Sequence, residues 1–211
     1  MEEVRNLFAQ LTNPEALIHT GGLILVLIVI FAENGIFFGF FLPGDTLLFT
    51  AGLLTSTNKF QVNIVLLLVT VFIAAVLGSL FGYFFGLKTG DGFRTRKENI
   101  FFRLKYIEAA EAFFNKYGGR ALVLGRFLPI IRTFAPIFAG IVKVDFREYF
   151  IYNLIGAFLW VFFMTLFGYF VGALWSDAKE YLHYIILGII VITWIPVILT
   201  YLKEQQLKKQ K

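Results

Sequence analysis

The 211-residue sequence contains no cysteine, two histidines and few charged residues. The lack of cysteine excludes disulfide bonds, thiol catalysis and thiolate metal sites. The two histidines, His19 and His183, lie far apart along the chain and have no neighbours of the metal-ligand type, so a zinc site is not expected. We therefore expect a protein without a metal or another cofactor. Charged residues make up 16% of the chain, whereas about 25% is usual in soluble domains.

Apolar residues are abundant and occur in long continuous runs. They make up 58% of the chain, which includes 27 phenylalanines, and the mean hydropathy is +0.76. Because a segment that crosses lipid must satisfy its backbone polar groups internally, continuous apolar runs of this kind indicate transmembrane helices. The sequence therefore predicts an all-α polytopic membrane protein.

Segment lengths divide the chain into spans and hairpins. One span needs about 20 apolar residues, so residues 60–87, 149–175 and 181–202 each fit a transmembrane helix. Residues 21–57 are too long for one span and too short for two, so a re-entrant hairpin is predicted there. The other predicted segments are an interfacial segment at 1–20, a cytoplasmic amphipathic loop at 88–120, a second re-entrant hairpin at 121–142 and a basic tail at 203–211. The central membrane domain is predicted to cover residues 21–175.

The net charge of +5 is concentrated in the loop 88–120 and in the C-terminal tail. This distribution indicates membrane orientation rather than nucleic-acid binding, because basic residues favour cytoplasmic loops. A cytoplasmic tail requires the last span to begin outside and residues 149–175 to begin inside. The segment 121–142 then begins and ends on the cytoplasmic side, and by the same argument residues 21–57 begin and end outside. Two hairpins of opposite orientation, each followed by a span, are typical of an inverted repeat.

The loop 88–120 contains eight basic residues against four acidic ones. Within it, apolar residues recur at helical spacing, with charged residues between them. This pattern favours a helix that lies on the inner membrane surface. A helix that packs against the cytoplasmic side of the domain itself is equally compatible with the pattern.

A short sequence repeat supports the inverted arrangement. FGYFFG at residues 81–86 recurs as FGYFVG at residues 167–172, with five of six residues identical. Glu33 and Pro43 are ten residues apart, as are Arg126 and Pro136. The glycines in the repeated hexapeptide are also explained by close helix packing through small residues.

Four charged residues interrupt the apolar stretches: Glu33, Asp45, Arg126 and Arg132. An ionisable side chain at membrane depth costs about 2.5–3.5 kcal/mol even on insertion scales, so such residues face partners or cavities. Two acids against two arginines can neutralise one another. The surrounding helix breakers Pro43, Gly44, Pro129 and Pro136 are predicted to form the bends of the two hairpins.

The same residues carry a resemblance to a known family. The pattern F-A-E-N-G followed by P-G-D, and later G-R-F-x-P-x-x-R-T followed by A-G, resembles the DedA family, also called SNARE-associated or VTT-domain proteins. The resemblance implies a bacterial inner-membrane lipid transporter with two opposed re-entrant hairpins. Family members are associated with proton-dependent return of undecaprenyl phosphate, and eukaryotic relatives scramble phospholipids. The essential acids of the family match Glu33 and Asp45, and its essential arginines match Arg126 and Arg132.

The chemistry of the four residues fits transport of an anionic lipid. The planar guanidinium matches phosphate oxygens, so Arg126 and Arg132 are predicted to bind the lipid phosphate. Burial favours the neutral form of a carboxyl group and a nearby arginine opposes this, so Glu33 and Asp45 are predicted to couple transport to protons. The expected partners are protons and membrane lipids, either a polyprenyl phosphate or a phospholipid, and a homo-oligomer is compatible with the sequence.

Other functions remain open at the level of sequence. The four charges could simply pin the two hairpins together, although buried pairs are weak evidence for stability. A phospholipid scramblase, a carrier of a small ion or of a proton-coupled solute, and a scaffold that binds partners through the loop 88–120 are alternatives. The motifs G-x-S-x-G and H-E-x-x-H are absent from the sequence, so an enzyme is not expected.

Overall fold

The computed structural model describes residues 14–37, 39–95, 111–112, 114, 116–126, 128–174 and 188. Regular secondary structure in these residues is helical. In chain order the helices are α1 (Pro14–Gly35), α2 (Gly44–Ser56), α3 (Ile64–Thr95), α4 (Arg120–Gly125), α5 (Pro129–Ile141) and α6 (Phe146–Leu174), with a 3-10 turn at Gly39–Phe41 between α1 and α2. The described residues exclude residues 1–13 of the predicted interfacial segment, most of the predicted loop 88–120, the predicted span 181–202 apart from residue 188, and the basic tail.

Three helices in the described part of the chain are long and apolar enough to cross a membrane: Pro14–Gly35, Ile64–Gly90 and Phe146–Leu174. Their outward faces carry exposed large apolar side chains, among them Ile73, Phe81 and Phe84 on α3 and Phe163 and Phe170 on α6. Exposed apolar surface of this extent is expected in contact with lipid. The prediction of an all-α, multi-pass membrane protein is confirmed.

The first helix begins earlier than the predicted hairpin. It starts at Pro14 and contains a kink at Gly22, where φ is 55° and ψ is −148°. A positive φ of this kind suits glycine, which has no Cβ to clash with the backbone. Residues 14–21 are therefore helical but set off from the rest of α1 by the kink. The predicted boundary at residue 20 lies next to this kink, and the interfacial position of residues 1–20 stays a prediction.

Proline marks the start of the second helix in each predicted hairpin. Pro43 is the N-cap residue of α2, and Pro129 occupies the first turn of α5. Proline suits these positions because its missing N–H would have no helical partner there. The prediction that Pro136 forms a bend is wrong, because Pro136 lies inside α5. It lies against Gly82 of α3, and α5 continues through it although proline cannot donate the helical hydrogen bond.

Contacts between α1, α3 and α6 establish their relative directions. Gly35, at the end of α1, lies against Gly78 of α3, while Ile28, earlier in α1, lines a groove with Thr70, earlier in α3. These two helices therefore run in the same direction. In contrast, the contacts of α3 with α6 run in opposite order along the two helices: Tyr149 Oη donates to Ser79 O at 2.7 Å, and Asn153 Nδ2 to Val76 O at 3.4 Å. Hence α6 runs antiparallel to α3.

The helix α2 packs along α6, and its close contacts involve glycines of α6. The carbonyl group of Phe49 lies against Gly168, and that of Leu53 lies against Gly172. Both positions advance by four residues, so α2 and α6 run in the same direction. Small residues allow such close approach of helix backbones.

The helix α5 packs along α3 in the same manner. The carbonyl group of Ile137 lies against Gly86, and the backbone of Ile141 lies against Gly90, so these helices are also parallel. Each half of the domain thus contributes a short helix that packs along the long helix of the other half.

These two contacts are equivalent in detail. In each contact, a glycine of the short helix lies against the backbone of two residues of the long helix that are four positions apart. Gly140 lies against Tyr83 and Leu87, and Gly52 lies against Thr165 and Tyr169. This equivalence pairs Gly86 with Gly168. The repeated hexapeptide pairs Gly82 with Gly168 instead, so the sequence repeat is one helical turn out of register with the structural one.

The short helix α4 completes the pattern. Its contacts with α6 follow the same order along both segments: Gly119, just before α4, lies against Tyr152, and Val123 lies against Gly156. The helices α1, α3 and α5 therefore run in one direction, and α2, α4 and α6 run in the other. Each half consists of an antiparallel pair followed by a long helix, and the second half is inverted relative to the first.

The turns of both antiparallel pairs lie near the middle of the long helices. Gly35 contacts Gly78, which is 14 residues into the 32-residue helix α3. Arg132, in the first turn of α5, contacts Trp160, which is 14 residues into the 29-residue helix α6. At 1.5 Å per residue, the two turns meet about 20 Å from the starts of the long helices.

Candidate functional site

Arg132 lies at the centre of a buried charged cluster where the two turns meet. It is 3% exposed and projects from α5. Its Nη1 donates a hydrogen bond to Asp45 Oδ1 at 2.6 Å, and its Nη2 donates to Glu33 Oε1. One guanidinium group therefore joins α1, α2 and α5. Charge-assisted hydrogen bonds of this kind are roughly twice as strong as neutral ones.

Trp160 connects the cluster to α6. The Nε1–H of its indole donates to Asp45 Oδ1 at 2.7 Å. The guanidinium carbon of Arg132 lies 4.3 Å from the centroid of the same ring, which is within range of a cation–π interaction. Trp160 therefore contacts both the acid and the arginine of the central ion pair.

Gly44 makes room for the carboxylate of Glu33. A Cβ placed at Gly44 would overlap Glu33 Oε2, so a larger side chain at this position would displace the carboxylate. Glu33 itself is 1% exposed. The predicted bend residue Gly44 thus has a second role, which is to admit the acid to its place beside Arg132.

Arg126 is buried, and the partners that the structure describes for it are neutral groups. It is 4% exposed, and its Nη2 donates to Ser79 Oγ at 2.6 Å and to Asn153 Oδ1. Among the residues that the structure describes, no carboxylate forms an ion pair with Arg126. Its Nη1 is buried and has no hydrogen-bond partner in the same part of the chain. A charged donor is therefore left unsatisfied inside the protein.

The structure changes the predicted charge balance. Two acids and two arginines are present as expected, but both acids bind Arg132, while Arg126 is held by neutral groups. With all groups ionised, the cluster of Glu33, Asp45 and Arg132 has a net charge of −1 and Arg126 has a separate charge of +1. The expectation of mutual neutralisation therefore holds for the sum of the charges and not for their pairing.

The two arginines have different partners because the chain breaks between them, just before α5. Arg126 follows α4 and lies beside Asn153, whereas Arg132 lies beside Trp160, seven residues further along α6. Seven residues correspond to about 10 Å along a helix. The two arginines therefore meet different parts of the same helix face.

Sequence analysis missed Ser79, Asn153 and Trp160. A signal was available for two of them, because Asn153 and Trp160 are seven residues apart and a seven-residue spacing places both on one helix face. Asn153 is also a polar residue in an otherwise apolar run. Ser79 had no such signal, since a small hydroxyl residue is common in tightly packed transmembrane helices.

Comparisons with known proteins agree with the architecture. The family described as the VTT domain matches residues 42–170, a range that includes Asp45, Arg126 and Arg132. Protein DedA of Escherichia coli (strain K12) is 35% identical over 182 residues, which cover 86% of this chain and 83% of that protein. No solved structure matches the chain significantly.

Two further relatives are membrane proteins by name. An uncharacterized membrane protein of Mycobacterium leprae is 36% identical over 187 residues, which cover 89% of this chain and 82% of the relative. The inner membrane protein YqjA of Escherichia coli (strain K12) is 34% identical over 166 residues, which cover 78% and 73% of the two chains.

Proposed function

The chain belongs to the DedA family of VTT-domain membrane proteins, and on this premise we propose that it carries undecaprenyl phosphate, an anionic lipid, across the bacterial inner membrane. The observation that supports this proposal is the buried charged cluster beside the middle of α3 and α6. Groups of this kind are costly at membrane depth and are usually associated with substrate or ion pathways. Arg126 adds a buried positive charge that forms no ion pair with a carboxylate among residues 14–95 and 116–174 where the structure describes them.

The proposed membrane arrangement follows from the helix directions. The pairs α1–α2 and α4–α5 would enter the bilayer from opposite faces and return to the same face, while α3 and α6 would cross it. Their turns would then lie near the bilayer midplane, where secondary transporters with inverted repeats place their binding sites. The C-terminal tail would be cytoplasmic, as its lysines indicate.

Arg126 and Arg132 are the proposed ligands of the lipid phosphate. A guanidinium group keeps its charge at any working pH, presents a planar set of donors and is more weakly hydrated than an ammonium group. Both properties suit recognition of a phosphate in a site with little water. The two side chains contact the same face of α6, at Asn153 and at Trp160, so one head group could move from one arginine to the other along this face.

Glu33 and Asp45 are the proposed proton carriers. Both acids bind Arg132, so protonation of either would weaken its hold on the guanidinium group. An arriving phosphate would compete with the acids for the same arginine, and the displaced carboxylates would be left in a medium that favours their neutral form. Phosphate binding and proton uptake would thus favour each other, and no covalent step would be needed.

A lipid is preferred to a small ion because of the surface beside the site. An apolar groove of about 360 Å³ lies between α1 and α3 and is lined by residues such as Ile28, Phe31 and Leu77. Phe31 is two residues from Glu33, and Leu77 is two residues from Ser79. A hydrocarbon chain in this groove would therefore lie at the same depth along the helices as the charged site, on their outer side.

Transport assays in reconstituted liposomes test the proposal. Liposomes that contain the purified protein and labelled undecaprenyl phosphate should show faster movement of the label between leaflets than protein-free liposomes. An inward or outward pH gradient should change this rate. Parallel liposomes with labelled phospholipids distinguish a phospholipid scramblase, which would move those lipids instead and without a gradient. If neither lipid moves under any gradient, the proposed function is wrong.

A further inference from the structure

We propose that the two arginines have separate roles: Arg126, together with Ser79 and Asn153, forms the seat that first receives the phosphate, and Arg132 is a latch that the acids hold closed. This inference rests on the proposed function, because it assigns parts within the same site. It follows from the different partners of the two side chains.

Arg126 is oriented by hydrogen bonds from one terminal nitrogen, and its other terminal nitrogen remains available as a donor. Its Nη2 is engaged by Ser79 Oγ from α3 and by Asn153 Oδ1 from α6. These two bonds orient the guanidinium group, and Asn153 is in turn oriented by its bond to Val76 O at 3.4 Å. Nη1 has no partner in the described part of the chain. A buried charged donor without a partner is costly, so an anion that accepted a hydrogen bond from Nη1 would offset this cost.

Arg132 has much less to offer an incoming anion. Both of its terminal nitrogens bind carboxylates, and one face of its guanidinium group lies on Trp160. Its inner nitrogen, Nε, has no hydrogen-bond partner in the described part of the chain, but the two terminal nitrogens, which would form a two-point contact with a phosphate, are taken by the acids. An anion at this position would first have to displace Glu33 or Asp45. While both acids are ionised, the cluster carries a net negative charge and repels an anion at short range.

The neutral character of Ser79 and Asn153 is central to the assignment. A carboxylate at either position would pair with Arg126 and cancel its charge. A hydroxyl and an amide oxygen accept its hydrogen bonds and leave the positive charge available for a ligand. The Ser79 hydroxyl can also donate its own proton to a phosphate oxygen. These two residues are therefore assigned as positioning residues of the phosphate seat.

The variant Asn153→Asp tests the seat, because it replaces the amide by a carboxylate of nearly the same shape. We would measure the affinity of the purified full-length protein in detergent for farnesyl phosphate, a short prenyl phosphate, and for farnesol, which lacks the phosphate. The wild-type protein should prefer farnesyl phosphate. Asn153→Asp should weaken farnesyl phosphate binding at least tenfold, should leave farnesol binding within about twofold, and should not lower the melting temperature.

A second pair of variants covers the case in which Asn153→Asp fails to fold. Ser79→Ala removes one of the two groups that orient Arg126 and should weaken farnesyl phosphate binding several-fold. Ser56→Ala is the matched control, because Ser56 bonds to the carbonyl of Leu53 within its own helix and should bind farnesyl phosphate like the wild type. Equal affinities in Ser79→Ala and Ser56→Ala would overturn the assignment.

The latch is tested by Glu33→Gln, which removes a negative charge from the cluster without touching Arg126. This variant should bind farnesyl phosphate more tightly than the wild type, because one of the two acids that hold Arg132 becomes neutral. An unchanged affinity would mean that the acids do not restrict phosphate binding, and the latch would be wrong. If Glu33→Gln weakens binding as much as Asn153→Asp does, the two arginines act as one site and the separation of roles is wrong. Failure of the proposed function would look different: the wild-type protein would not move undecaprenyl phosphate in liposomes, whatever the pattern of farnesyl phosphate affinities.

Discussion

The two arginines of the charged site differ in the groups that would lose a hydrogen-bond partner if the arginine were replaced. Replacement of Arg132 leaves two acids without their counter-ion, the buried Glu33 and the partly buried Asp45, whereas replacement of Arg126 affects a serine and an asparagine, which are neutral. Removing one partner of a buried ion pair is strongly destabilising, while removing a whole ion pair or triad is often neutral or stabilising. The two arginines should therefore respond in opposite ways to the same substitution.

Arg132→Gln is expected to destabilise the protein by about 3–5 kcal/mol, because Glu33 and Asp45 lose their counter-ion. Adding Glu33→Gln and Asp45→Asn to this variant should restore most of the melting temperature but should not restore lipid flux. Arg126→Gln should keep a melting temperature at or above that of the wild type and should lose flux. Thermal melting in detergent and flux in liposomes are the two measurements.

Two outcomes would contradict this account. Recovery of flux in the triple variant would mean that the acids and Arg132 serve only to hold the fold together. A melting temperature of Arg126→Gln as low as that of Arg132→Gln would mean that Arg126 also has an acidic partner in the folded protein.

At the scale of helices, the sequence predicted the positions of the helices along the chain better than the way in which the helices pack on one another. The apolar runs predicted α3 and α6. Pro43 and Pro129, which were predicted as bends, lie at the starts of α2 and α5. The repeated hexapeptide identified α3 and α6 as equivalent helices. It could not establish their register, because it contains two glycines four residues apart and either one can accept the carbonyl of a neighbouring helix. Only the packing of α2 and α5 decides between them.

The structural register predicts the effect of single glycine substitutions. Gly86→Ala and Gly168→Ala should each cost stability in the range of overpacked sites, about 1–3 kcal/mol, because the new methyl group would overlap a backbone carbonyl, of Ile137 or Phe49. Gly82→Ala should be tolerated, since its nearest neighbours lie 3.4 Å from the new atom. Melting temperatures of the three variants provide the measurement. If Gly82→Ala were as harmful as Gly168→Ala, the register read from the hexapeptide would be the correct one.

The charged site shows the same division between local and tertiary information. Glu33, Asp45, Arg126 and Arg132 were predicted because charge in an apolar run is visible in the sequence itself. Their partners were not predicted correctly, because pairing depends on how far each turn reaches along α6. The position of Asn153 opposite Arg126 is set by the packing of α4 on α6, which no local pattern encodes.

At the scale of the whole molecule, the helix directions have the order that an inverted repeat requires, and the side of the membrane for each connection stays a prediction. The absence of native cysteine makes it possible to test this with single cysteines at exposed positions. His19 and Lys59 flank the first antiparallel pair, and Lys116 and Arg147 flank the second; all four are exposed.

Single cysteines at His19 and Lys59 should react with a membrane-impermeant maleimide from outside intact cells. Cysteines at Lys116 and Arg147 should react only after the inner face is made accessible. This pattern follows if each pair returns to the face from which it entered. Reaction of Lys116→Cys and Arg147→Cys from opposite faces would mean that α4 and α5 together cross the membrane, and the inverted arrangement would then be wrong.

The exchange of short helices between the two halves also determines how the molecule can deform. The tightest packing joins α1 and α5 each to α3, and it joins α2 to α6, so the helices group into two bundles that each contain helices from both halves of the sequence. The bond from Arg132 to Glu33 lies within the first bundle, and the bond from Arg126, which follows α4, to Asn153 lies beside the second. The bonds from Arg132 to Asp45 and from Arg126 to Ser79 connect the two bundles. Tilting one bundle against the other would break the two connecting bonds and keep the other two. A rocking motion of this kind would therefore separate the two bundles at the charged site itself. Each arginine would keep one polar neighbour and would turn its other side toward the opening.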